Sequence, residues 1–274
     1  MELKLPSPHT PVGGTKEAKP QNSATMDFRA FPNCCLAALI SFTSPLDACR
    51  LSLVSTDFKL AADSDIVWGK FLPADYRSLI PTLPPTSSKK ELFLSLCDNP
   101  VLIEDGKVSL SLEKRSGKKC YMLGARSLEI TWGDTPAYWK WISVPDSRFN
   151  EVAMLRQVWW FEIRGRISTS ILSPATRYKV YIVLKLTHSA YGLENLPFEA
   201  YVGPVGLAGI EGGCSRTVYV DADRIDNWFE VDLGEFFNGG GEDGELEISI
   251  MEIAGHYKGG LIIQGIDIRP VTNM

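Results

Sequence analysis

From Tyr178 to Leu186 apolar side chains recur at every second position: Tyr178, Val180, Ile182, Leu184 and Leu186 alternate with Lys179, Tyr181, Val183 and Lys185. Successive side chains of an extended strand point to opposite faces, so this pattern describes a strand with one side in a core. The same alternation places Phe229, Val231 and Leu233 against Glu230 and Asp232, and Leu246, Ile248 and Ile250 against Glu245, Glu247 and Ser249. Further strands are expected at residues 108–112, 128–132, 158–164, 198–202, 217–220 and 261–268. Many short strands divided by Gly, Pro, Asn and Asp turns predict an antiparallel sandwich or jelly roll rather than a parallel sheet.

The start of the chain reads differently. Residues 1–26 carry Pro6, Pro8, Pro11, Gly13, Gly14 and Pro20 and no apolar periodicity, which predicts a disordered extension; Met26 offers an alternative start. Leu36, Leu39, Ile40 and Phe42 then fall near i, i+3, i+4 spacing, lining a helix face. In Ser44-Pro45-Leu46-Asp47, Ser44 can cap, Pro45 suits the first helical position and Asp47 favours the positive end of the dipole. Ala48, Leu51, Ser52 and Val54 supply a second face, Ser55 can cap a piece around Phe58, Ala61 and Ala62, and another carries Ile66, Val67, Trp68 and Phe71. A helical cluster of this size is marginal alone, so a partner surface is expected. Three prolines stiffen residues 81–90, after which Ser87 or Ser88 can cap a helix through Leu92, Phe93 and Leu96 that ends before Asn99-Pro100. The expected division is 1–26 extension, 27–80 helical domain, 81–100 linker and connecting helix, and 101–274 strand domain.

Several functions are disfavoured. Over 274 residues the net charge is -5 and the pI about 5.4, so no overall field attracts DNA, RNA or an anionic bilayer. No apolar run is long enough to span a membrane or resembles a signal peptide, so a cytoplasmic location is expected, with the nucleus as a second candidate compartment. Lys114, Arg115, Lys118 and Lys119 form a weak basic patch that suits nuclear import or an exposed hairpin equally. The six cysteines make no C-x-x-C pair and read as reduced thiols; with His9, His188 and His256 far apart, no metal is expected. The segment from Gly206 to Gly213 is not the dinucleotide fingerprint, and the glycines near 240 are not followed by Lys-Ser or Lys-Thr, so no cofactor is expected. Glu245 and Glu247 share one strand face, whereas a glycosidase needs carboxyls on opposite sides of the scissile bond. A non-catalytic protein is predicted.

Trp132, Trp139 and Trp141 lie within ten positions, broken by Gly133, Asp134 and Pro136, so the chain bends between its indoles. Rings on either side of a turn can form a flat shelf for the apolar face of a pyranose, with hydroxyl partners at the rim; they can equally be core. Trp159, Trp160 and Trp228 are expected in the core with Trp141, because they stand on or near strands. The acidic turn holding Glu242 and Asp243 offers acceptors to sugar hydroxyls, or is a solvated hairpin turn.

Two resemblances refine these readings. Phe31-Pro32, Ile40-Ser41-Phe42, Asp47-Ala48-Cys49-Arg50, Leu53-Val54-Ser55, Phe58, Ala61-Ala62, Val67-Trp68 and Phe71-Leu72 resemble the F-box, with Phe31 in place of the usual Leu and Asn33-Cys34 where an acidic residue commonly follows Pro. That resemblance implies docking on the adaptor Skp1, and through it on a cullin, by Phe31, Pro32, Leu36, Ile40, Pro45, Leu51, Val54 and Trp68.

Ala125-Arg126-Ser127-Leu128-Glu129-Ile130-Thr131-Trp132-Gly133-Asp134-Thr135-Pro136-Ala137-Tyr138-Trp139-Lys140-Trp141, Glu151-Val152-Ala153, Val180-Tyr181-Ile182-Val183-Leu184-Lys185-Leu186, Gly234-Glu235-Phe236-Phe237-Asn238, Gly241-Glu242-Asp243-Gly244-Glu245-Leu246-Glu247 and Gly260-Leu261-Ile262-Ile263-Gln264-Gly265-Ile266-Asp267-Ile268-Arg269-Pro270 resemble the phloem protein 2 lectins of plants. This implies a β-sandwich binding N-acetylglucosamine oligomers or the N-glycan core, with Trp132 and Trp139 as the sugar-stacking rings. The expectation is an α+β chain: a small N-terminal helical F-box followed by an antiparallel, jelly-roll-like lectin β-sandwich. Its expected role is recognition of a glycan or glycoprotein target for an SCF-type E3 ubiquitin ligase. The alternative is a stress-responsive nucleocytoplasmic lectin acting without a ligase.

Overall fold

The computed structural model describes residues 32–79, 88–206, 213–221, 224–240 and 244–272. The expected N-terminal extension, Phe31, most of the proline-rich linker, residues 207–212 and the acidic turn with Glu242 and Asp243 lie outside the described residues. Helices come first: α1 (Asn33–Ile40), α2 (Pro45–Leu51), α3 (Thr56–Ala62), α4 (Asp65–Phe71), α5 (Tyr76–Leu79) and α6 (Lys89–Asp98). Local chemistry sets their starts. The Ser44 hydroxyl accepts from the Asp47 amide at 3.1 Å, Ser55 does the same for Phe58 at 3.3 Å, and Ser88 forms a reciprocal capping box with Glu91.

Inside the helical unit, Leu36, Ala37 and Ile40 of α1 meet Ala48, Ala61, Ala62, Val67 and Trp68. The indole of Trp68 donates to the Ala62 carbonyl at 2.7 Å and packs against Phe71 and Phe93, with ring centroids 5.5 and 5.2 Å away. Phe93 and Leu96 of α6, the helix expected to be a connector, belong to this core and so does Leu112 from the strand region. Leu79 packs on both the helical and the strand cores, and the Leu46 amide donates to the Arg115 carbonyl at 3.3 Å.

The rest of the chain is antiparallel strand. In order it runs β1 (Val101–Ile103), β2 (Val108–Leu112), β3 (Lys119–Gly124), β4 (Glu129–Ile130), β5 (Trp139–Ile142), β6 (Val152–Leu155), β7 (Phe161–Ser168), β8 (Thr176–Tyr191), β9 (Pro197–Pro204), β10 (Cys214–Tyr219), β11 (Phe229–Asn238), β12 (Glu245–Glu252) and β13 (Gly259–Pro270). The larger sheet runs β1-β2-β3-β13-β6-β5, with β8 on the free edge of β13 and β11 beyond it; the smaller runs β10-β9-β12-β7-β4. One edge of β13 serves two partners: residues 265–268 pair with β3 and residues 262–263 with β6. Gly265 is required there, because a Cβ at that position would stand 2.1 Å from the Leu123 carbonyl oxygen.

Period-two residues from both sheets fill one core. Tyr178, Val180 and Ile182 of β8 meet Ile248 and Ile250 of β12 and Phe198 of β9, all essentially sealed from solvent. The expected strands form, while β1, β3, β5 and β6 arise where the sequence shows no alternation. Residues 128–132 yield only the two-residue β4, because the chain turns at Trp132, whose φ is +57°. The six cysteines are free thiols.

Candidate functional site

Two surfaces carry the residues singled out by the sequence. On the helical unit the structure revises them. Leu36, Ile40, Pro45 and Trp68 are buried within this chain, and Leu51 is half-buried against the same core. A side chain already enclosed by its own helices has no area left to give an adaptor. Pro32 and Val54 remain exposed; Phe31 lies outside the described residues. The apolar side chains that do face solvent are Leu39, Phe42, Leu53, Val54, Leu60 and Ile66, with Phe42 and Leu53 about 85% exposed. Leu39 and Leu60 sit on α1 and α3, which pack together, and Leu53 and Val54 form the turn between α2 and α3. Six uncovered apolar side chains between residues 39 and 66 are more than scattered exposure leaves on a segment of this length.

The second surface is the tryptophan turn. Trp132 is 47% exposed and its ring lies 5.4 Å from that of Tyr138. A left-handed φ in a bulky residue costs about 1–2 kcal/mol, so its neighbours must impose it. They do. The Trp139 indole donates to the Thr131 carbonyl at 3.2 Å and the Trp141 indole donates to the Gly133 carbonyl at 3.1 Å, pinning the backbone on each side of Trp132. Arg126 stacks on the Trp141 ring at 3.7 Å and is itself held by Glu151. Trp139 is only 2% exposed and its ring faces Phe161. The expectation of two stacking indoles is thereby corrected: Trp132 forms the surface and Trp139 is a strut beneath it.

Beside this turn is a hollow of about 220 Å3 lined by Glu129, Ile130, Thr131, Glu162 and Arg164. Glu162 organises it. Its carboxylate accepts from the Trp160 indole at 2.9 Å, from Arg164 at 2.8 and 2.6 Å, and from the Thr131 hydroxyl at 3.3 Å. Burial alone would push this carboxyl up, but the bonds from Trp160 and Arg164 outweigh it and hold Glu162 below its ordinary range. Trp159 and Trp160, expected in the core, are both exposed, while Val158 and Phe161 on either side point inward. An inward spacing of three breaks the period of two, and the two indoles are turned out by the bend between them. That spacing was the available signal, and Glu162 and Arg164 had none. Glu242 and Asp243 lie outside the described residues. The hollow therefore offers a fixed carboxylate, a guanidinium and a hydroxyl next to the turn that carries Trp132, which together suit a neutral, hydroxyl-rich ligand.

Known proteins bear directly on this arrangement. The family described as Phloem protein 2 matches residues 118–270. "F-box protein PP2-B10" of Arabidopsis thaliana is 50% identical over 272 residues, covering 94% of this chain and 98% of that protein. The chain belongs to the plant F-box phloem protein 2 family. Other members include "Putative F-box protein PP2-B12", 49% identical over 89% of this chain and 98% of its own, and "F-box protein SKIP3", 45% identical over 90% of this chain and 89% of its own, both from Arabidopsis thaliana. The family's phloem protein 2 region here begins at the end of the loop before β3 and includes the tryptophan turn, the Glu162 hollow and all later strands. Likeness to solved structures is slight: the CBM22-1 xylan-binding domain of Paenibacillus barcinonensis Xyn10C aligns over 55% of this chain and 90% of that one, at 13% identity and a TM-score of 0.32.

Proposed function

We propose that this chain is the substrate-recognition subunit of an SCF-type E3 ubiquitin ligase. Its helical unit docks on a Skp1-like adaptor, and through it on a cullin. Its two sheets, read as the jelly-roll-like sandwich of a lectin, hold a glycan or glycoprotein target. The chain itself makes and breaks no covalent bond; it raises the target's effective concentration beside the transfer machinery, in the cytoplasm and nucleus. The observation that carries the reading is the outward set Leu39, Phe42, Leu53, Val54 and Leu60, opposite a helical core that already fastens the unit to the strand region through Phe93 and Leu112. An F-box-type partner has that surface to cover, and covering it leaves the strand domain in place.

For the target, the reading is an N-acetylglucosamine oligomer or an N-glycan core stacked on Trp132 with its hydroxyls bonded in the Glu162 hollow. Calorimetric titration of the full chain with chitotriose tests it. Trp132→Ala removes a surface ring and should lower affinity about tenfold or more, since an aromatic face contributes roughly 0.5–1.5 kcal/mol beyond its area. Unchanged affinity would remove the sugar from this hollow and leave protein-surface recognition of the target. Glycan binding without any adaptor binding would instead favour a lectin that works outside a ligase.

A further inference from the structure

The saccharide reading of Trp132 and the hollow beside it can be taken further, because other exposed rings leave the smaller sheet at the same end. Strands β12, β7 and β4 are adjacent in the smaller sheet, and the register fixes which of their ends coincide. Glu252, the last residue of β12, lies opposite Phe161, the first of β7; Ile130, the last of β4, lies opposite Ile163. The segments leaving β4, entering β7 and leaving β12 therefore emerge at the same end of the sheet. Each carries an exposed ring: Trp132, against the half-buried Tyr138, after β4; Trp159 and Trp160 before β7; and Tyr257 after β12. Neighbouring strands are about 4.8 Å apart, so the ring-bearing segments extend across about 10 Å or more, beyond the reach of a single sugar ring.

The far end of this row is built rigidly. Trp159 and Tyr257, 52% and 55% exposed, face each other with centroids 5.5 Å apart. Beneath them Lys258 and Glu252 form an ion pair whose side chains are 0% and 1% exposed. The Lys258 ammonium also donates to the Trp159 carbonyl at 2.6 Å, and the Glu252 carboxylate accepts from the Ala254 amide at 2.7 Å. Both segments bearing the exposed rings are thus fastened to one buried pair. Burying two charges costs several kcal/mol before their attraction is counted, and it is spent on a loop whose outward contribution is two rings. Gly255, at φ +91°, completes the arrangement: a Cβ there would lie 2.8 Å from the Trp159 indole nitrogen. Rings fixed in advance lose little entropy when a ligand arrives. Between the two ends stands the exposed Trp160, next to Trp159 in sequence and donating to Glu162 of the hollow.

We infer that the ligand is an extended oligosaccharide, held in the Trp132 hollow and continuing along Trp160 to a second stacking position on Trp159 and Tyr257. This rests on the saccharide reading above, and length dependence separates the two. Full-length wild-type protein is titrated with chitobiose and with chitohexaose. Affinity should rise at least tenfold with length, and Trp159→Ala/Tyr257→Ala should abolish that rise. The single Tyr257→Ala variant, which removes only a surface ring, should reduce it and reports on the same position should the double variant unfold. A wild type that binds both lengths equally, or a folded variant that keeps the full rise, overturns the extended site while leaving the hollow intact. Affinity lowered about tenfold or more in Trp132→Ala, alongside a length effect in the wild type, supports both readings. If the wild type binds neither oligomer, both fall.

Discussion

Leu53→Ala offers the sharpest separation of surface from core in the helical unit. Leu53 is 85% exposed, in the turn that leads from α2 to α3. Truncation to alanine removes about three methylene equivalents, at about 0.8 kcal/mol each when buried, so covering this side chain in a complex is worth about 2 kcal/mol and its loss about 30-fold in affinity. The folded chain should notice little, because exposed substitutions usually fall within about 0.5 kcal/mol. Leu36→Ala should do the opposite. Leu36 is buried among α1, α3 and α4 neighbours, so its truncation costs about 2–5 kcal/mol of stability and changes adaptor affinity little at temperatures where the unit stays folded. The assay is calorimetric titration with a plant Skp1-like protein, paired with thermal melting of each variant. Undiminished binding by Leu53→Ala, together with weakened binding by folded Leu36→Ala, would refute the assignment of inward and outward faces.

Other consequences follow from charge and burial. Lys258→Met leaves Glu252 buried without its cation, which should cost about 3–5 kcal/mol and lower the melting temperature by roughly 10 °C; adding Glu252→Leu should restore much of it, and an unchanged melt for Lys258→Met would mean that the pair contributes nothing. Because Glu162 titrates below its ordinary value of 4.5, the stabilisation from its charged form is complete at neutral pH and is lost as pH falls below 4.5 through the lowered folded value. The melting difference between wild type and Glu162→Gln should therefore hold steady around neutrality and shrink in acid; a difference that grows on acidification would reverse the sign of this argument.

Alternation in β8, β11 and β12 was legible because each has one face in the core, and period two then maps directly onto burial. Strands β3 and β13 were harder. Met122 of β3, on the outer face of the larger sheet, is itself covered by Phe149, and Ile262, Gln264 and Asp267 of β13 are buried as well, so burial no longer alternates along these two strands. In α1 the difficulty was the reverse. Leu36, Leu39, Ile40 and Phe42 all fit a helical stripe, but Leu36 and Ile40 turn inward while Leu39 and Phe42 face solvent, and no spacing rule says which half a partner takes. The resemblance to the F-box marks a segment without distinguishing core from contact. The tryptophans show the same limit. Trp132 and Trp139 stand seven residues apart across a turn, and only the hydrogen bond from the Trp139 indole to the Thr131 carbonyl shows that one supports the backbone carrying the other. Glu162 was read only as part of a strand, because its importance comes from Trp160, Arg164 and Thr131 converging on it from a bend, a strand and a turn.

The central claim is that one chain carries an adaptor surface and a saccharide surface that can be occupied together. Chitin resin incubated with the full chain and a Skp1-like adaptor measures this directly. The account predicts that the adaptor is retained only when the chain is present, and is lost with either Trp132→Ala or Leu53→Asp. Retention of the chain without the adaptor, or of neither, would contradict it.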